Sequence, residues 1–126
     1  MAVEGYSKLL IIDDDQRNIF ALKAVLKSRG YTSITAGGAQ EGIRLLTEQK
    51  EVGLVLLDMM MPDMDGYEAI RLIRQGPGKA VPIIAVTAQA MVGDREKCIE
   101  AGADDYIAKP VDVDRLMVLL NQYLKT

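Results

Sequence analysis

Five polar residues stand at the ends of short apolar runs. Asp13 and Asp14 follow Leu9–Ile12, Asp58 follows Leu54–Leu57, Thr87 follows Ile83–Val86, and Lys109 follows Tyr106–Ala108. Drawn together, these residue types have a definite chemistry. Converging carboxylates repel one another and raise their pKa values unless a cation lies between them. A hard oxygen site with few carboxylates suits Mg²⁺, which keeps several waters and completes its shell with phosphate oxygens. A lysine brings a compact positive charge to phosphate, and a threonine hydroxyl can donate to a phosphoryl oxygen. A carboxylate can attack phosphorus and form an aspartyl phosphate. Metal, lysine and hydroxyl would stabilise charge on the equatorial oxygens of the transferring group. The expectation is an acceptor carboxylate at Asp58 beside Mg²⁺.

Taken singly, each residue has an ordinary structural role open to it. Asp13, Asp14 and Asp15 precede a helical pattern, and Asp is among the best N-caps. Thr87 is placed to cap a helix starting near Met91, and a solvated turn is the usual fate of a lysine such as Lys109. Asp58 resists this treatment. It ends the most apolar run, and Met59, Met60 and Met61 give it no evident capping role. The ordinary readings would have to coincide four times at one edge.

That edge requires elements to build it. The runs Leu9–Ile12, Leu54–Leu57 and Ile83–Val86 are continuously apolar, as in strands covered on both faces of a parallel sheet. Weaker strands are expected around Ser33–Thr35 and Tyr106–Ala108. Helical faces are expected from Ile19, Leu22, Val25 and Leu26, stopped at Gly30, and from Ala39, Ile43 and Leu46. Three more come from Tyr67, Ile70 and Ile73; from Val92, Cys98 and Ile99, stopped near Gly102; and from Val113, Leu116, Met117, Leu120, Tyr123 and Leu124, with Asp112 as N-cap. Gly76-Pro77-Gly78 reads as a turn. Five strands alternating with five helices predict an α/β protein, a three-layer α/β/α sandwich with right-handed crossovers and the flavodoxin-like strand order 2-1-3-4-5. Ligands of such sheets bind beyond the carboxyl ends of the strands, where the strand order reverses. Residues 1–126 read as one domain, with no internal repeat or low-complexity tract.

Composition narrows the function. The formal charge of −3 is mild and gives no basic footprint for nucleic acid. Cys98 is alone, so neither an intrachain disulfide nor a thiolate metal cluster can form. No apolar run approaches the roughly 20 residues of a membrane span, and the N-terminus lacks a signal-peptide pattern, so a cytoplasmic protein is expected. There is no histidine at all. Ser–His and Cys–His catalysis are therefore excluded, and any phosphohistidine must belong to another protein or domain.

The segments LLIIDDD (9–15), LVLLDMMMPDMDGYE (54–68), PIIAVTAQA (82–90) and AGADDYIAKP (101–110) resemble the receiver domain of two-component response regulators, and the likeness runs nearly the whole chain. The resemblance implies roles residue by residue. Asp58 would be the phosphoacceptor, Asp14 a direct Mg²⁺ ligand, Asp13 one acting through water, and Met60 a ligand through its backbone carbonyl. Thr87 and Lys109 would bind the phosphoryl group, with Ala88 leaving room and offering its N–H. Thr87 and Tyr106 would form a switch, Lys109-Pro110 a cis peptide, and Gly66 the start of the third helix after a Pro-x-x-Asp-Gly turn. Met60 and Gln89 match positions that tune phosphate lifetime.

The implied partners are a histidine kinase or histidine phosphotransfer protein and a downstream protein target. A homodimer through the face of helix 4, strand 5 and helix 5 is a further expectation. The protein would be a phosphoacceptor that assists its own phosphorylation and dephosphorylation rather than an enzyme acting on other substrates. IDDDQRNIFAL and VTAQAMVGDREKC resemble receivers attached to hybrid kinases, so stand-alone and attached forms both stay open. A phosphatase of the haloacid-dehalogenase type fits less well, because it carries an Asp where Met60 stands. A flavin module would need a Ser/Thr/Gly loop after strand 1, and that loop here is acidic. A docking-only receiver would not need the intact set of Asp13, Asp14, Asp58, Thr87 and Lys109.

Overall fold

The structure, a computed structural model, describes residues 8–49, 51–77, 80–88 and 93–124. Strands and helices alternate as β1 (Lys8–Ile12), α1 (Gln16–Ser28), β2 (Thr32–Ala36), α2 (Ala39–Glu48), β3 (Val52–Asp58), α3 (Gly66–Gln75), β4 (Ile83–Thr87), α4 (Asp94–Ala101), β5 (Asp105–Ala108) and α5 (Val113–Tyr123). All neighbouring strands are parallel, in the order β2-β1-β3-β4-β5. This is the expected α/β/α sandwich.

Strand alternation explains the continuous apolar runs. Successive side chains point to opposite faces of a sheet, and both faces are covered. Leu10, Ile12, Val55, Leu57, Ile83 and Ala85 join a core with α2, α3 and α4. Leu9, Ile11, Leu54, Leu56, Ile84 and Val86 join a second core with α1 and α5. Each fully buried Leu or Ile contributes about 1.5–3 kcal/mol relative to exposure, so the central strands cannot slip by one residue without losing both cores.

The helix ends follow local chemistry. Asp15 caps α1 by accepting the Arg17 N–H at 3.0 Å, and Asp112 caps α5 by accepting the Asp114 N–H at 3.0 Å. Just beyond α1, Gly30 takes φ +90°, a conformation that costs little only for glycine.

The helix faces differ in detail from the sequence pattern. Ile99 was expected on the buried face of α4 but is 37% exposed; the eight-residue helix buries Cys98 and Ala101, three apart, and Ile99 lies about 100° round from Cys98. Val92 lies outside the described residues, as does Gly78. Tyr67 and Ile43 are half-buried, and their smaller neighbours Gly66, Ala69 and Gly42 face the sheet. Close approach demands this. A Cβ on Gly42 would run into the Ile12 side chain, and one on Gly66 would lie 2.7 Å from the Met59 Cα. Leu119, outside the expected α5 stripe, is fully buried. No described helix is long and apolar enough to cross a membrane.

Candidate functional site

Because every strand is parallel, all carboxyl ends meet at one edge, and the sheet ladder continues into the residues that follow. The Asp13 N–H donates to the Ala36 carbonyl at 3.0 Å, the Met59 N–H to Val86 at 3.0 Å, and the Lys109 N–H to Thr87 at 2.7 Å. Asp58 pairs with Val86, and Thr87 with Ala108, in adjacent strands. Asp58 continues the alternation of Leu54 and Leu56 on the α1/α5 side of the sheet.

One carboxylate oxygen from each of Asp13, Asp14 and Asp58 lies within 4.8 Å of the others. Asp13 and Asp58 are 2% and 3% exposed, and Asp14 faces solvent. The Lys109 Nζ reaches between the two buried acids, 3.4 Å from Asp58 Oδ1 and 3.8 Å from Asp13 Oδ2. The expected mutual repulsion of the carboxylates is present but does not lead. Burial is the main cause that raises the Asp58 pKa above its ordinary value, and the nearby Asp13 charge adds to it. The Met60 N–H and the Lys109 charge pull it back down.

Asp58 also has the local bond that its sequence context did not suggest. The Met60 N–H donates to Asp58 Oδ1 at 3.1 Å, which orients the carboxylate and folds the backbone of 59–60 around it. The Met60 side chain is 63% exposed, consistent with a position that would act through its backbone. Thr87 is buried, Ala88 is exposed, and Tyr106 is half-buried against the core under α2, α3 and α4. The Lys109-Pro110 peptide is cis. Gln89 and the neighbouring Met91 lie outside the described residues.

Two contributors escaped the sequence pattern. Asn18, in the first turn of α1, donates its side-chain amide to Asp13 Oδ2, while the Asp15 N–H holds Oδ1 at 2.9 Å. Both oxygens of this buried acid are thus held in place. The signal was an amide residue one turn past an acidic cap. Asp63 accepts the Ala39 and Gln40 N–H groups at the start of α2, 3.3 and 3.4 Å away. Its signal was indirect: Gly37 and Gly38 precede that helix, and neither has a side chain to cap it.

The donor set fits a magnesium ion. It is all oxygen, and three acids against a single lysine leave an excess of negative charge in a partly buried cleft. That excess calls for a hard divalent cation with open positions. Beside it stand a carboxylate able to attack phosphorus and a lysine able to neutralise phosphate.

The sequence model of the response regulator receiver domain matches residues 9–121. The chain is 39% identical over 117 residues to the signal transduction histidine-protein kinase BarA of Shigella flexneri, covering 91% of this chain but spanning only 12% of that kinase. In structure it is similar to the receiver domain of the sensor histidine kinase PA1611 of Pseudomonas aeruginosa, solved with a magnesium ion coordinated in the active-site cleft. The TM-score there is 0.85 at 36% identity, over 95% of this chain and 98% of that one. It is also similar to a chain in the co-crystal structure of the Saccharomyces cerevisiae histidine phosphotransfer signaling protein Ypd1 with the receiver domain of its downstream response regulator Ssk1. The TM-score is 0.86 at 25% identity, over 93% of this chain and 88% of that one.

Proposed function

The chain belongs to the response regulator receiver domain family, and from that premise we propose that Asp58 accepts a phosphoryl group from the phosphohistidine of a histidine kinase or histidine phosphotransfer protein. The observation that carries this reading is the Lys109 ammonium set between Asp58 and Asp13 in a cleft of three carboxylates.

An Asp58 oxygen attacks the phosphorus in line, and the bond to the donor imidazole breaks. The Met60 N–H and Lys109 hold the attacking carboxylate in orientation before transfer. Burial raises the free energy of its charged form, so passing that charge to phosphoryl oxygens at the cleft mouth is favoured. Lys109 then follows the charge onto the phosphoryl group, and Thr87 with the Ala88 N–H completes its hydrogen bonding. A magnesium ion held by Asp13, Asp14, Asp58 and the Met60 carbonyl would supply further positive charge to the transferring oxygens. Water later hydrolyses the acyl phosphate and resets the domain. On this reading the protein is a phosphoacceptor that assists its own chemistry, working in the cytoplasm.

The phosphorylated form favours Thr87 turned toward the phosphate and Tyr106 turned inward, a population shift that changes the face of α4, β5 and α5 for a downstream protein or a second copy. The donor side is supported by an apolar groove of about 540 Å³ beside Lys109, lined by Ala21, Leu22 and Val25 of α1 and by Val111, Val113 and Leu116. Phe20 stands 78% exposed on the same helix. The groove, rather than Phe20 on the far side of α1, suits a helix of the donor protein.

Incubation with Mg²⁺ and acetyl phosphate, read by intact mass, tests the acceptor. One phosphoryl group should be added, and none in Asp58→Asn or in EDTA. Labelling of Asp58→Asn equal to wild type would assign the chemistry to another residue.

A further inference from the structure

We propose that Asp63 is a positioning residue for the metal-binding loop: its carboxylate caps α2 from a distance and so fixes the place of the Met60 backbone. This rests on the reading of Asp13, Asp14, Asp58 and the Met60 carbonyl as a magnesium site. The α2 helix starts without a cap of its own, since its N-cap residue is Gly38. The Asp63 carboxylate takes that place, Oδ1 accepting from the Ala39 N–H at 3.3 Å and Oδ2 from the Gln40 N–H at 3.4 Å. Its negative charge also suits the positive end of the helix dipole. Gly38 makes the room. A Cβ there would lie 2.9 Å from Asp63 Oδ2. The Gly38 φ of −167° is extended backbone open to any residue, so the glycine serves space rather than conformation.

Asp63 sits within a small closed loop. Met60 and Asp65 form an isolated antiparallel bridge, and Asp63 lies between them. The loop is held at three points: by the Met60 N–H on Asp58, by Gly66 packed on Met59 behind it, and by Asp63 on α2. Met60 would contribute a backbone carbonyl, so its side chain cannot set the ligand's place and the anchors must. Magnesium tolerates little misplacement, because it demands near-octahedral geometry at about 2.0–2.1 Å.

The test compares the whole chain with Asp63→Ala, Asp63→Asn and the double variant Gly38→Ser/Asp63→Ala. Mg²⁺ is titrated and followed by backbone amide shifts, and Tm is measured without metal. Asp63→Asn keeps one of the two acceptors, turns an NH₂ toward the other N–H and removes the charge. Gly38→Ser gives α2 its own cap while leaving the loop untied. Asp63→Ala should lower Tm and raise the magnesium Kd roughly threefold to tenfold, at or below the low end of the effect seen for groups bonded directly to a ligand. Asp63→Asn should weaken binding less than Asp63→Ala does. The double variant should regain Tm yet stay weak for Mg²⁺. An unchanged Kd in Asp63→Ala, equal weakening in Asp63→Asn, or recovery of affinity together with Tm in the double variant would each overturn the inference. Wild-type protein that takes up no Mg²⁺ would instead overturn the site reading on which it rests.

Discussion

Asp58 is a buried carboxylate whose charge is held at a cost. Burial raises its pKa first, the Asp13 charge adds to this, and the Met60 N–H and Lys109 offset only part of it. The folded state therefore holds the Asp58 proton more tightly than the unfolded chain. The cost is absent below the ordinary value of 3.8 and is fully present once pH has risen through the raised folded pKa. Asp58→Asn should accordingly shift the urea midpoint of the metal-free fold upward at neutral pH. Lys109 keeps Asp13 as a partner at 3.8 Å, so it is not left orphaned. Urea unfolding in EDTA at several pH values measures this, and the gain should fade as pH falls toward the ordinary carboxylate range. A gain independent of pH would mean that packing, not charge, is responsible.

At the scale of elements, the two ends of the sheet have different duties. At the carboxyl end, α3 approaches so closely that only Gly66 fits against Met59. At the opposite end, Arg74 of α3 donates Nε to the Gly102 carbonyl at 2.8 Å, Nη2 to Asp104 at 2.7 Å and Nη1 to the Val81 carbonyl. Asp104 also accepts the Ile83 N–H at 2.9 Å. This clamp ties α3 to the start of β4 and to the turn between α4 and β5. Arg74→Met should cost about 2 kcal/mol, in the range for hydrogen bonds to charged groups, and leave acetyl phosphate labelling almost unchanged. Gly66→Ala should cost about 1–3 kcal/mol through overpacking. It should also slow labelling, because the displaced backbone adjoins Asp58. Unfolding curves and labelling time courses on both variants separate the two ends; equal slowing in both would contradict the division.

At the scale of the whole molecule, the acceptor opens beside a groove that carries no charged lining residue apart from Lys109 among the described residues. A protein donor has this surface to grip, and a small donor does not need it. Ala21→Glu, which puts a charge into this apolar lining, should therefore reduce phosphotransfer from a phosphorylated histidine phosphotransfer protein by roughly tenfold, in the range of a disrupted interface contact. Its rate with acetyl phosphate should not change. Equal rates with both donors would remove α1 from the docking surface.

Short-range patterns in the chain were enough for the layers and for which residues gather at one edge of the sheet. Leu9–Ile12, Leu54–Leu57 and Ile83–Val86 can be continuously apolar only if helices cover both sheet faces, and parallel strands then bring Asp13, Asp14, Asp58, Thr87 and Lys109 to one edge. These are short-range patterns, readable because side-chain direction repeats every two residues in a strand and about every 3.6 in a helix. What depends on distances between elements came from tertiary packing. It placed Lys109 between two acids, set Asn18 on Asp13 and brought Asp63 to a helix 24 residues away. It also gave burial the leading part in raising the Asp58 pKa. Contacts across such separations leave no period in the chain, and desolvation exists only once the other elements have excluded water.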